Sequence, residues 1–332
     1  MGMQNIDLQI EAQSAPIADE VSALIAIVRP ILQGLLFAIK GSVIAAFGGY
    51  EQLPLFLLPR AYREGSGDCG ICFEYAVHDA VVRKEPAVIE RIHDSLTKYC
   101  KVPGKDTASI LFGAEKTGAF QVIGNPNSYL TEDSRVLTGV RCQPPKLIQH
   151  IQDIANALHR QSVRPDLPSS IAGLWKADLF LGNRDTDRWV GTTVKINRAQ
   201  LEGAPGLRIG IVPAKYGQGD SISIDSSKNL VVCPLPYDGS FMELFYSAWC
   251  IVKGFIAADA KTPQPNILPI GSHRMVAKML EERRDFPVLA VIEALTTFSQ
   301  PGLLQQFVSD AGPYAPNQNI ISKIIAPKPL SN

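Results

Sequence analysis

The sequence predicts an α/β protein: a mixed sheet core flanked by helices, with an N-terminal helical portion and a long insertion. Three observations carry this. Residues 15–58 are rich in Leu, Ile, Ala and Phe and read as helices, and an amphipathic helix follows at about 69–84. Four strand-like runs between Leu174 and Cys233 then precede two C-terminal helices. Composition agrees, since 46% hydrophobic and 19% charged residues exclude a disordered chain. With 32 basic and 32 acidic side chains the net charge is zero. That excludes a histone-like polyanion binder, though not a locally basic cleft.

The 332 residues divide into an N-terminal helical portion, 1–60, and an α/β domain, 61–332, with the insertion at about 102–170. The apolar stretch Val21–Pro59 is interrupted by Arg29, Pro30 and Lys40, so its longest uncharged runs are about half of the roughly 20 residues a spanning helix needs. Two or three packed helices are expected there, ended by Pro54 and Pro59, and no membrane. A Gly-rich turn, Glu64 to Asp68, leads into the helix at about 69–84, with Asp68 as its N-cap. Phe73, Ala76, Val77, Ala80 and Val81 form its apolar face.

A further helix covers about 86–101, and short β-like runs, Ser109–Phe112 and Ala119–Ile123, follow. Pro144 and Pro145 introduce a helix at about 146–160, and 164–170 is a Pro-punctuated loop. The strand candidates are Leu174–Leu181, Arg188–Asn197, Leu207–Pro213 and Asn229–Cys233. Helices at Ser240–Ala258 and Ser272–Ser299 close the chain. Six sparse cysteines and no secretory leader point to a reduced, cytoplasmic protein.

The sharpest chemical signal is the hairpin formed by the first two strand candidates around the turn Asn183–Asp187. Alternation puts Lys176, Asp178 and Phe180 on one face of its first strand. On the second, Thr193 and Lys195 share a face opposite the mainly apolar Val190, Thr192, Val194 and Ile196. An Asp and a Lys on paired strands can converge: the carboxylate suits a hard divalent cation, and the ammonium suits developing negative charge. A plain cross-strand ion pair between Asp178 and Lys195 is the competing reading.

This hairpin resembles the core of the PD-(D/E)xK nuclease superfamily, which includes many restriction endonucleases. Lys176-Ala177-Asp178 looks like its first motif, and Thr193-Val194-Lys195 sits where acid-x-Lys belongs, with Thr193 in the place of the acid. Gly70-Ile71-Cys72-Phe73-Glu74 is similar to the helix phrase by which the family often adds a Glu. The resemblance covers residues 66–84 and 172–214. It implies a restriction-endonuclease-like fold and Mg²⁺- or Mn²⁺-dependent hydrolysis of DNA. Asp178 and Glu74 would hold the metal and Lys195 would act on water or charge. Thr193 would be a weak ligand or a spectator, Glu74 or Glu202 would stand in for the missing acid, and His78 would line the same cleft. Removing Asp178 would then relieve repulsion and leave stability unchanged or improved, and Thr193→Glu would restore the usual ligand set.

Residues 141–200 carry nine Lys/Arg against five Asp around these positions, enough to attract phosphates. No phosphate-binding Gly-rich loop is present, so any helicase or other ATPase would be a partner protein, as in bacterial defence systems where such nucleases are effectors. A different class is a non-catalytic scaffold that keeps the fold but has lost a metal ligand. A third is a papain-like cysteine peptidase using Cys69 or Cys72, but none of the five histidines lies in the required strand context. Half a zinc site or a redox pair at Cys69-x-x-Cys72 lacks further ligands or a preceding strand, so packing cysteines are expected.

Overall fold

The computed structural model describes residues 19–62, 68–112, 129–138, 143–214, 220–237, 241–296 and 298–299. The run Ala119–Ile123 lies outside them. The chain is an α/β protein with a seven-stranded mixed sheet: β1 Thr107–Leu111, β2 Arg135–Leu137, β3 Leu179–Asn183, β4 Arg188–Val194, β5 Leu207–Pro213, β6 Ser223–Asp225 and β7 Leu230–Leu235. The order is β1-β3-β4-β5-β7-β6, with β2 parallel to the first half of β4. β1, β3 and β4 are antiparallel neighbours, whereas β4, β5 and β7 run parallel.

Helices cover both faces. α1 Asp19–Ala38, α2 Gly41–Ala46, α3 Leu58–Ala61, α4 Asp68–Val82 and α5 Pro86–Asp94 come first, and a π-helical turn, Ser95–Tyr99, extends α5. Then come α6 Leu147–His159, α7 Phe241–Ala257, α8 Gly271–Glu281 and α9 Val288–Thr296. One core joins α1, α4, α5, α7, α8 and α9 to Leu179, Leu181, Val190, Val194, Ile209 and Ile211 of the sheet. The opposite face buries Phe180, Trp189 and Val232 beneath α6. Alternation along each strand therefore feeds two cores, as expected of a sheet covered on both sides. Thr193 points to the second face, which is also buried, so the expected open face of β4 does not exist.

The segment expected as an insertion contributes β1, β2 and α6 to this same sheet and its cover. In the N-terminal portion, α1 runs unbroken through Arg29 and Pro30. Pro30 lacks one N–H, and the Arg29 guanidinium docks on the far end of the chain, Nε donating to Ile292 O at 3.2 Å. Glu20–Ala38 is long and apolar enough to cross a membrane by length and composition, but 83% of that window is buried inside the protein. The run expected as one helix, Ser272–Ser299, is split. α8 ends at Glu281, and the chain around Pro287 pairs with the N-terminal portion instead: Leu55 N donates to Phe286 O and Val288 N to Leu53 O, both at 2.9 Å.

The largest local correction concerns Leu174–Lys176, expected in a strand and found as a 3₁₀ turn. Leu174 is fully buried and wedges between two glycines. A Cβ on Gly191 would lie 2.5 Å from Leu174 Cδ2, and one on Gly206, whose φ is +93°, 2.7 Å from Leu174 Cγ. That insertion curls the chain, and β3 starts only at Leu179. Lys176 is consequently not on the strand face with Asp178. β4 likewise ends at Val194 rather than Asn197, although Lys195 N still donates to Ile211 O of β5 at 2.9 Å.

Candidate functional site

Asp178 and Lys195 flank the end of the β3–β4 hairpin opposite its turn, one just before β3 and the other just after β4. Backbone bonds fix Asp178 on both sides, its N–H donating to Thr192 O and its carbonyl accepting from Phe112 N, each at 2.9 Å. Glu74 arrives from α4, whose buried Phe73, Ala76 and Val77 seat it on the sheet. The three side chains meet. Lys195 Nζ lies 2.7 Å from Asp178 Oδ2 and 3.5 Å from Glu74 Oε1.

Asp178 has no exposed surface, and a buried carboxylate must be paired and hydrogen-bonded. Its Oδ2 also accepts from Thr193 Oγ1 at 3.1 Å and from Val194 N at 2.8 Å. Thr193 is therefore a donor that orients Asp178. The Glu74 side chain is 8% exposed and that of Lys195 27%, so Lys195 is the open side of the cluster. The cross-strand ion pair weighed as the competing reading is present as well, and it forms part of this cluster.

The other sequence candidates fall around it. Lys176 and Glu202 pair with each other at 2.8 Å on the surface. Lys176 draws the Glu202 carboxyl below its usual range through this hydrogen bond, and Lys195 adds to that pull. His78, one turn beyond Glu74, faces the edge strand β1, with Nδ1 3.0 Å from Ser109 Oγ. Burial pushes its imidazole down to about 4, against the opposing pull of Asp79. Ser109 and the Val194 N–H were not legible as site neighbours. Ser109 stood only in a β-like run, and a backbone donor leaves no mark in side-chain pattern.

Two carboxylates and one ammonium are the chemical groups brought together, with the Thr193 hydroxyl and the Val194 N–H already donated to Asp178. Among the described residues no group of three or more His, Cys, Asp or Glu is arranged to hold a metal. Among those residues Glu74 and Asp178 bring two carboxylates together, and no tetrahedral ligand set forms around Cys69 and Cys72. Cys72 is fully buried, with Sγ 3.5 Å from the Ile31 carbonyl it donates to, which makes it a packing group at the α1–α4 contact. No family model, curated protein or solved structure matches the chain.

Proposed function

We propose that the protein is a divalent-metal-dependent nuclease that hydrolyses DNA phosphodiesters at Glu74, Asp178 and Lys195. The observation that carries this is the convergence of the three on one point, from α4 and from both strands of the hairpin. Two carboxylates fit Mg²⁺ or Mn²⁺, because Mg²⁺ is commonly held by one or two protein carboxylates with water and substrate phosphate completing its shell. Asp178 and Glu74 would hold the ion, which when bound polarises phosphoryl oxygens and acidifies water. The chain's own groups do the rest. Thr193 and Val194 N–H hold Asp178 in one orientation. Lys195, the most open of the three, positions the water and stabilises the negative charge that develops as its oxygen attacks phosphorus and the P–O ester bond breaks.

The neutral overall charge and the lack of a recognisable DNA-reading module support delegation of target choice to a partner such as a helicase or other ATPase. A second reading has its own support: Asp178 Oδ2 is taken up by three donors, as in a structural ion pair of a non-catalytic scaffold. Cleavage of plasmid and single-stranded DNA over a Mg²⁺ and Mn²⁺ series, with and without candidate ATPases, separates them. Cutting by wild type that is lost in Asp178→Ala supports the nuclease. Equal cutting by both removes the assignment, and no cutting by either under any condition favours the scaffold.

A further inference from the structure

Beside the cluster lies a charged pair that the nuclease reading leaves unused. Lys176 and Glu202 are 2.8 Å apart, with side chains 35% and 70% exposed. Lys176 closes the 3₁₀ turn two residues before Asp178, and Glu202 lies in the loop that follows β4 and Lys195. Turn and loop are fastened together: Gly173 N donates to Pro205 O at 2.9 Å, and a Cβ on Gly173 would meet Ala204 Cβ at 2.6 Å. The pair therefore lies on the surface over the backbone that leads into Asp178 and away from Lys195, and Lys195 helps to draw the Glu202 carboxyl below its usual range. An exposed pair of this kind contributes little to stability, so its partners exchange readily. Lys195 is engaged by two acids. Lys176, held by the solvent-facing Glu202 carboxylate and lying 5.5 Å from the centre of the Trp175 ring, has one acid to exchange, and a phosphate can replace it there.

We infer that Lys176 is a phosphate-contacting residue of this site and that Glu202 is its placeholder. In the free protein the Glu202 carboxylate occupies the position that a backbone phosphate of the nucleic acid takes on binding. The inference rests on the nuclease reading for its ligand. It makes the two partners of one ion pair act in opposite directions: removing the cation weakens binding, whereas removing the acid strengthens it.

The test is binding of a fluorescent DNA duplex to the full chain in EDTA, which prevents metal-dependent cutting, over a salt series. Lys176→Ala should weaken binding several-fold and make the salt dependence shallower by about 0.9 in log–log slope, the value for one phosphate contact. Glu202→Gln should tighten binding, and that gain should vanish when Lys176 is already Ala. A gain of equal size in both backgrounds would show plain charge repulsion and overturn the placeholder. So would a Lys176→Ala variant with unchanged affinity and slope. If either happens while wild type still cuts in Mg²⁺ and Asp178→Ala does not, the inference falls and the nuclease stands. If wild type neither binds nor cuts DNA, both fall.

Discussion

Asp178 concentrates the chemistry of the molecule at one atom, since its Oδ2 accepts from an ammonium, a hydroxyl and a backbone N–H. This reverses the stability effect expected for its removal. The neighbourhood is two acids with a lysine between them, not a bare cluster of like charge. Asp178→Ala leaves Thr193 Oγ1 and Val194 N without an acceptor and Lys195 with one acid, so it should lose about 2–3 kcal/mol in urea unfolding. An unchanged or raised midpoint would show that repulsion dominates. Thr193→Glu fares no better as a repair, because it places a second carboxylate against Asp178 in a buried position. Thr193→Val, which removes only the hydroxyl, should lose about 1 kcal/mol, and a loss beyond about 3 kcal/mol would contradict the single-bond account. Glu74, Asp178 and Lys195 were legible because period-2 strand alternation and a helix phrase mark them. Lys176 was misplaced because the wedge of Leu174 between Gly191 and Gly206 depends on contacts distant in sequence.

At the scale of elements, α4 carries Glu74 and His78, and its position is set by α1. Gly34 of α1 lies so close that a Cβ there would be 3.1 Å from Cys72 Cα and 3.3 Å from Tyr75 Cδ2. The first is backbone and cannot rotate away. Gly34→Leu should thus lose roughly 2–3 kcal/mol by overpacking and displace Glu74 from Lys195. Unfolding midpoints measure the first effect. A midpoint equal to wild type would mean that α1 does not set the seat of α4. Helices α6 and α7 were legible to within a few residues because each has one apolar stripe, and α4 because Phe73, Ala76, Val77, Ala80 and Val81 recur at helical spacing, although Cys72 to Val77 are buried all round. Strands β2 and β6 were not, since three residues hold too little pattern to read. The split between α8 and α9 carried a signal that the expected single helix overrode: Glu281 to Asp285 interrupts the apolar pattern with five charged residues and Pro287 follows, and the pairing of 286–288 with 53–55 fixes the turn.

For the whole molecule, the larger of the cores joins α1, α4, α5, α7, α8 and α9 to the sheet, so titration of a group buried against it reports on global stability. Burial holds His78 near 4 and lowers His273 in the same sense. An imidazole whose folded value lies below its usual 6.5 binds more protons unfolded, so stability falls as pH drops from about 6.5 toward 4. The buried carboxyls Glu20 and Glu85 are raised and push the other way. The His78 contribution is therefore read as a difference: between pH 7 and 5, His78→Gln should lose less stability than wild type. Equal losses would place the His78 imidazole outside the cooperative core. The central claim is that α4 and the hairpin build one catalytic point. Single-turnover DNA cleavage by wild type, Glu74→Gln, Asp178→Asn and Lys195→Met, in Mg²⁺ and in EDTA, tests it most directly. Asp178→Asn and Lys195→Met should each slow the chemical step by orders of magnitude, Glu74→Gln should raise the Mg²⁺ required, and EDTA should stop wild type. Cleavage that survives EDTA, or is unaltered in all three variants with the fold intact, would contradict it.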